Sequence, residues 1–487
     1  MAFALLFPNF VAAAGITIIA SILGIAGDIF GVSQGTAMWL MTGFMLTYAS
    51  FMPVLGKLGD RLGKKRIFVI SISLFSLGLL LNFITSNFTV IVIGRLVQGL
   101  GAAGILPIAN ALVSEHYPRE KGKYLAMVNA TYGLGMIVGI NVGGITYDLL
   151  GWRWMFVITF IASLMAVVFA ELFIKVPKRD DFLREEVSGS PERVEGIDRG
   201  GNKRFRLDVL GSLLFAGVIA TFLLMMENVS SYSFFSLNVI GYLVALVVFL
   251  LLFVIREFRV EDPAIDLRLF KKQGFLIYNL LALFFGTAMF VFATFLPSYT
   301  QSLFGYTVSF SVYAIDPFAL SMVVFIMFGG FVIKKVGAKK TMILGAFLFA
   351  LGGFVVSRFT SSELSFYINT IFLAIGLGIS MTPMNYVVIE EGGVENQGAS
   401  AGIVSIMRSL GGVIGPAIAG VIMSKIDFGS LFVMDSIINA YNKIFFMAFL
   451  SVVVMFALSI VGYLMDRETE RDETKLNNLK DTEVMEK

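Results

Sequence analysis

The chain has 487 residues, of which 57% are hydrophobic and only 15% charged, and its mean hydropathy is +0.85. Soluble domains of this length carry about a quarter charged residues, so a solvated globular surface is excluded. No cysteine and a single histidine, His116, exclude a disulfide framework, a thiolate nucleophile and an imidazole metal cluster, and the net charge of +3 gives no reason to expect nucleic acid as a partner.

Apolar runs of about 20 residues, the length that crosses a hydrocarbon core, recur along the chain. They predict fourteen spans at 9–28, 36–56, 67–86, 88–113, 124–148, 152–174, 208–229, 235–256, 274–296, 310–333, 341–359, 365–388, 397–423 and 443–465. All are expected to be helices, because a helix satisfies its own backbone in lipid. The first run has no basic leader or clear cleavage site and reads as a retained span, not a signal peptide. With both termini cytoplasmic, the outer side holds only Arg153, Arg358, Lys425 and Lys443 of the 37 Lys and Arg, Arg95 and Arg408 fall within spans, and the rest lie inside. That asymmetry obeys the positive-inside rule and favours an even span number. The expectation is an all-α multi-pass protein of a cell membrane, most simply the plasma membrane of a prokaryote, with a monomer as its unit.

Between spans two and three stands GKLGDRLGKKR (56–66), and GFVIKKVGAKK (330–340) echoes it, pairing Gly330 with Gly56 and Gly337 with Gly63. At nearly the same separation, the glycines of 119–140 (Gly122, Gly135, Gly139) match those of 395–416 (Gly398, Gly411, Gly415). The chain therefore divides into a six-span half (1–174), a charged loop with two inserted spans (175–272), a second six-span half (273–466) and a charged tail (467–487). Paired six-helix repeats are a secondary-transporter architecture, with the substrate site near the midplane. The turn at 56–66 is read as a glycine-punctuated loop in which Asp60 caps the following helix or latches onto a cation of the opposite half.

These residues resemble the major facilitator superfamily. GKLGDRLGKKR, with Gly56, Asp60, Arg61, Gly63 and Lys64, is similar to its signature turn after helix two. Arg95, Gln98 and Gly99 in GRLVQGLGAAG resemble its helix-four motif, which implies a part in proton transfer. Gly135, Gly139, Gly143 and Gly144 resemble the helix-five glycine motif of its exporters, although Ile140 stands where that motif has a proline; the second half keeps the pair as Gly415–Pro416. Fourteen helices with the extra pair in the middle resemble the drug:proton antiporter branch. The resemblance implies alternating access, a hydrophobic small-molecule substrate and protons as the coupling ion. The acid that this branch carries in helix one is missing.

Three intramembrane charges are the candidates for mechanism. Arg95 lies well inside span four, where an unpaired arginine costs about 2.5–3.5 kcal/mol; it is either a proton-coupling group or a structural arginine held by carbonyls. Asp316 precedes Pro317 and so reads either as the N-cap of span ten at the outer boundary, or as an acid beside a kink in a helix that begins near Ser309, where loss of water favours the protonated carboxyl. Arg408, aligned by the repeat with Tyr132, is expected either to receive an anionic substrate group or pair with an acid such as Asp316, or to be a structural arginine held by internal hydrogen bonds. Glu227 and Glu171 read as interfacial snorkels, and Glu390 and Glu391 as solvated or gate charges. The ladder Gly135–Gly139–Gly143 and its counterpart Gly411–Gly415–Ala419 are expected to pack helices closely, and such a smooth contact can also open and close between the halves. GLGAAG (99–104) fits a dinucleotide fingerprint but follows no strand. With no phosphate loop either, no cofactor and no direct use of ATP are expected. The alternatives are an exporter or proton symporter of one metabolite, such as an organic anion, and a receptor or scaffold that transports nothing.

Overall fold

The computed structural model describes residues 2–117, 121–174, 208–231, 236–260, 263, 265–360, 362–393, 397–424 and 433–485. Fourteen helices in it are long and apolar enough to cross a membrane. They are α1 (Ala2–Thr17), α2 (Trp39–Leu62), α3 (Lys64–Ile84), α4 (Phe88–His116), α5 (Lys121–Leu150), α6 (Trp152–Phe173) and α7 (Val209–Ser231). The series continues with α8 (Leu237–Arg259), α9 (Gln273–Phe304), α10 (Asp316–Val336), α11 (Ala338–Phe359), α12 (Glu363–Gly392), α13 (Gln397–Ser424) and α14 (Val433–Met485). Among the described residues there is no strand. The number of spans agrees with the hydropathy reading, but the bounds shift: α1 starts seven residues earlier than its apolar run, and α14 runs on through most of the charged tail.

The duplication is visible in the backbone. Four of the six glycines with positive φ form two pairs at one common separation: Gly31 with Gly305, both at +66°, and Gly63 (+98°) with Gly337 (+87°). Each member of the second pair is the single residue between two helices, so a side chain at either position would strain the turn. This corrects the reading of 56–66 as a loop. Gly56, Asp60 and Arg61 belong to the last turns of α2, and only Gly63 stands outside a helix. The N-cap of α3 is Gly63, with no side-chain cap, so Asp60 does not occupy the cap position; the side chains of Asp60 and Arg61 lie outside the described residues, as do the loop 175–207 and Lys425.

The basic residues after each turn tie together three helix ends of their own half. In the first half Lys64 pairs with Glu115 of α4, and Lys65 donates to the Glu171 carbonyl of α6 at 2.7 Å, with the Glu171 carboxylate 3.7 Å away. In the second half Lys339 holds Glu391 of α12 at 3.0 Å and Asp466 of α14 at 2.6 Å, while the Tyr278 hydroxyl donates to Asp466 at 2.7 Å. Glu171 and Glu391 are therefore partners in these ties, not snorkelling or free gate charges.

The glycine ladders pack helices closely, as their spacing implies, but within each half and not between the halves. A Cβ on Gly135, Gly139 or Gly143 would lie 2.3–2.6 Å from the carbonyl oxygens of Phe10, Ala14 and Ile18, so α5 packs its glycine face on α1 of the same half. Gly411 and Gly415 do the same against Leu283 and Thr287 of α9, in a helix that also contains Pro416. Small residues at a four-residue spacing permit this close approach, and it holds each half together. Among the described residues, glycines at the contact between halves include Gly24, against Ser298, Gly144, against Val308, Ser309 and Val312, and Gly420, against Met38.

The inserted hairpin α7–α8 is asymmetric in its surroundings. Only 11% of the most apolar window of α8 is buried, against 78% for α2, so α8 faces lipid. Helix α7 packs on both α2 and α13, and Glu227 accepts hydrogen bonds from Trp39 Nε1 at 2.7 Å and Thr36 Oγ1 at 3.2 Å. Glu227 thus tethers the insertion to the outer end of the first half; it is not a snorkel. At the inner end of the hairpin, Arg256 pairs at 3.0 Å with Asp208, whose carboxylate also accepts from the N–H of Gly211.

Candidate translocation site between the halves

The residues that join the two halves cluster toward the outer side. Gln301 Nε2 of α9 donates to the Ser21 carbonyl at 3.0 Å. The backbone N–H of Ser309 donates to Asp148 Oδ2 at 2.8 Å, and Ser309 Oγ donates to the Gly144 carbonyl at 3.0 Å. Met38 fills the space above Gly420. The Asp316 carboxylate adds a further hydrogen bond from one six-helix half to the other.

Asp316 lies just below this closure. A short helix, Val308–Tyr313, capped by the Thr307 side chain, precedes α10, and the two are separated only by a turn at Ala314–Ile315. Pro317 has no N–H to return to the carbonyl four residues back, which is the local reason for the break. The N-cap of α10 is Ile315, with no side-chain cap. Asp316 is therefore the acid beside a kink, not a helix cap. Its carboxylate crosses to the other half, where Asn141 Nδ2 of α5 donates to Oδ1 at 2.6 Å. Both side chains line a pocket whose other walls are apolar, among them Met136, Ile137, Met289, Phe318 and Met322. Both side chains are half-buried, and Asn141 Nδ2 also donates to the Ile137 carbonyl of its own helix at 3.1 Å.

The two intramembrane arginines differ in kind. Arg95 is fully buried. Its Nε donates to the Leu40 carbonyl at 2.7 Å, Nη1 to the Gly15 carbonyl at 3.0 Å and Gln98 Oε1 at 2.8 Å, and Nη2 to the Ile16 carbonyl at 3.4 Å. The guanidinium also stands 4.8 Å from the Phe44 ring centroid. Gly15 and Ile16 lie at the seam where α1 tightens into 3₁₀ turns (Ile18–Ser21 and Leu23–Ile25), and carbonyls at such a seam are the ones a third group can reach. Gln98 donates onward to Gly15, and Asn82 donates to Gln98. Gly99 lets α4 close on the Phe44 carbonyl of α2. The helix-four residues thus form a knot joining α1, α2, α3 and α4, in which, among the described residues, Arg95 meets no carboxylate.

Arg408 is half-buried, and among the described residues it makes no hydrogen bond or ion pair. Its backbone carbonyl packs against Gly286 of α9. In the opposite half, the Tyr48 and Tyr132 hydroxyls are 3.4 Å apart. The structure does not join Arg408 to Asp316. By helical rise, Arg408 stands about 16 Å from the inner end of α13, and Asp316 about 30 Å from the inner end of α10.

Asn141 and Tyr48 were not singled out in the sequence. Asn141 had a signal, since an amide in the apolar run GMIVGINVGG needs a partner. Tyr48 had none, because an aromatic residue in a span is most often packing.

Comparison with known proteins agrees with this architecture. The profile of the Major Facilitator Superfamily matches residues 5–232 and 312–451. This chain belongs to the Major Facilitator Superfamily. Among its curated superfamily relatives, the multidrug transporter protein MdtP of Bacillus subtilis is 27% identical over 404 residues, covering 82% of this chain and 70% of that one. The riboflavin transporter RibZ of Clostridioides difficile is 27% identical over 397 residues and covers 81% of each chain. Among solved structures, a bacterial homologue of the lysosomal transporter Spinster, in an inward-facing and occupied conformation, superposes with a TM-score of 0.67 at 13% identity, covering 95% of this chain and 96% of that one. At that identity the likeness is one of fold. The superfamily membership makes this chain a multi-pass membrane transporter of small molecules.

Proposed function

We propose that the chain is a proton-coupled exporter of amphipathic compounds, with Asp316 as the carboxylate that couples the two flows. The observation that carries this reading is the Asp316–Asn141 bridge: the pocket between the halves has one titratable side chain, and that side chain holds the opposite half. A hydrogen bond to an ionised carboxylate is roughly twice as strong as one between neutral groups, so the deprotonated acid favours the closed outer end. A cationic group of a substrate entering from below competes with Asn141 and with a proton for the same oxygen atoms. Binding of one at the expense of the other is the linkage that antiport needs. The knot around Arg95 serves as scaffold for α1 and α2 instead of relaying the proton. The relatives named multidrug transporters support a broad, greasy substrate range, to which methionine and phenylalanine walls adapt.

Reconstitution tests it. Proteoliposomes with an imposed pH gradient are expected to move (biphenyl-4-ylmethyl)trimethylammonium, whose fixed charge prevents passive trapping, against its own gradient and at the expense of the proton gradient. Movement of biphenyl-4-carboxylate alone would point instead to an organic-anion carrier. Movement of neither, nor of any member of a broad panel, would leave a receptor.

A further inference from the structure

We infer that the inner turn between α10 and α11 binds the headgroup of an anionic glycerophospholipid, with Lys334, Lys335 and Lys340 around the phosphate and the acyl chains along the lipid-facing sides of the two helices. The site is separate from the pocket at Asp316. All three lysines are exposed, and among the described residues none of them makes a hydrogen bond or an ion pair. The sequence has no acid between Asp316 and Glu363. Glu391 and Asp466, which reach the turn from α12 and α14, are both held by Lys339. The first copy of the turn is built differently. Asp60 stands where the second copy has Lys334, and Lys64 and Lys65 are engaged by Glu115 and Glu171. A surplus of unpartnered cations is therefore a feature of the second turn.

The register of the apolar residues adds to the charge. On α10, Val324, Met327 and Phe331 are exposed and recur at helical spacing, so they form one stripe that faces lipid. Lys334 is the next member of that stripe, and Lys335 flanks it. Gly330 lies on the same face, and nothing stands within 4 Å of its Cβ position, which leaves a notch one turn outward of the lysines. On α11, Leu344 and Phe347 are exposed, and Lys340 stands one turn before them on the same face. Only Gly337 separates the two helices, so both stripes end on one group of cations at the inner boundary. A lysine there lays its stem on apolar surface and its ammonium among the headgroups, and basic clusters immediately cytoplasmic of a span attract anionic lipid. The positive-inside rule accounts for the sign of these charges, but not for their alignment with two stripes or their lack of partners. Free phosphate offers the same charge without acyl chains and would use the lysines alone.

The experiment measures lipid affinity on the purified full chain in a neutral detergent, by native mass spectrometry. The probes are dioleoyl phosphatidylglycerol and dioleoyl phosphatidylcholine, with inorganic phosphate as a competitor that lacks chains. Phosphatidylglycerol is expected to bind at least about tenfold more tightly than phosphatidylcholine, since each lysine near the surface contributes about fivefold, and millimolar phosphate is not expected to displace it. Lys334→Gln, Lys335→Gln and Lys340→Gln together are expected to bring phosphatidylglycerol within about threefold of phosphatidylcholine, whereas Lys334→Arg, Lys335→Arg and Lys340→Arg together keep the preference. A control with the same loss of charge at exposed cations elsewhere on the inner surface, Arg66→Gln, Arg259→Gln and Lys271→Gln together, is expected to stay within about twofold of wild type. Equal affinity of the wild-type protein for the two lipids would overturn the inference, as would a preference that survives the loss of the three lysines. Equal losses in the two glutamine triples would mean a diffuse surface attraction in place of a site, and displacement by phosphate would mean a phosphate site that needs no lipid.

Discussion

Arg95 and Arg408 are both arginines within membrane-spanning helices, and the protein treats them in opposite ways. Around Arg95, three backbone carbonyls and the Gln98 amide take up the guanidinium, and the Phe44 ring covers it. Arg408 is half-buried and, among the described residues, has no acceptor in hydrogen-bonding contact. A buried donor set that is fully satisfied contributes to stability, whereas one held ready contributes to binding. The difference teaches that depth in a span and motif membership do not by themselves say which charge is functional; the state of the neighbours does.

The comparison breaks first at Arg95. Replacing it by Ala leaves the Leu40, Gly15 and Ile16 carbonyls without their donor and opens a cavity, at a cost of about 3–5 kcal/mol. The yield of monodisperse protein after membrane extraction is expected to fall at least about tenfold, and Arg95→Lys is expected to restore little of it, since an ammonium carries its three N–H groups on one nitrogen and cannot span the separate acceptors that Nε, Nη1 and Nη2 reach. Near-normal yield of Arg95→Ala, together with lost transport, would return Arg95 to the mechanism.

A smaller effect is expected where backbones touch. Gly139→Ala would place a methyl 2.3 Å from the Ala14 carbonyl oxygen, and is expected to cost about 1–3 kcal/mol in unfolding free energy. Gly133→Ala, with nothing within 4 Å of its Cβ position, is expected to stay within about 0.5 kcal/mol. Equal losses at the two positions would mean that α5 is not held through its glycine face. Glu227→Gln keeps the shape of the tether to Trp39 and Thr36 but removes its charge, worth about 1 kcal/mol; faster hydrogen exchange confined to the outer turns of α7 and α2 is the expected signature. Smallest of all, Arg408→Gln is expected to leave the melting temperature in detergent within about 2 °C of wild type. A loss as large as that of Arg95→Ala would erase the distinction between the two arginines.

Much of the fold was legible because lipid leaves few options. Spans, orientation and duplication follow from apolar length, the placement of Lys and Arg, and repeated glycines, and the family profile and the fold likeness agree with them. The site was legible only in part. The sequence offered Asp316 as either a cap or a kink residue, since Asp-Pro serves both; the deciding facts are a helix beginning eight residues earlier and an amide donor on another helix, Asn141, which no local pattern links to it. The glycine ladders gave their spacing but not their partner, so a contact within each half could equally be read as one between halves. The chain around 56–66 looked like a loop because its glycines and charges are those of a loop. At a membrane surface the same composition can end a helix, and here α2 continues to Leu62.

The coupling role of Asp316 is tested most directly by comparing two assays of one variant. Proteoliposomes containing Asp316→Asn are loaded with (biphenyl-4-ylmethyl)trimethylammonium and followed first in counterflow without a pH gradient, then under an imposed gradient. Counterflow within about threefold of wild type, with no acceleration by the gradient, is the result that a proton-carrying carboxylate predicts. Gradient-driven uptake at the wild-type rate would show that the proton travels by another group, and would contradict the account.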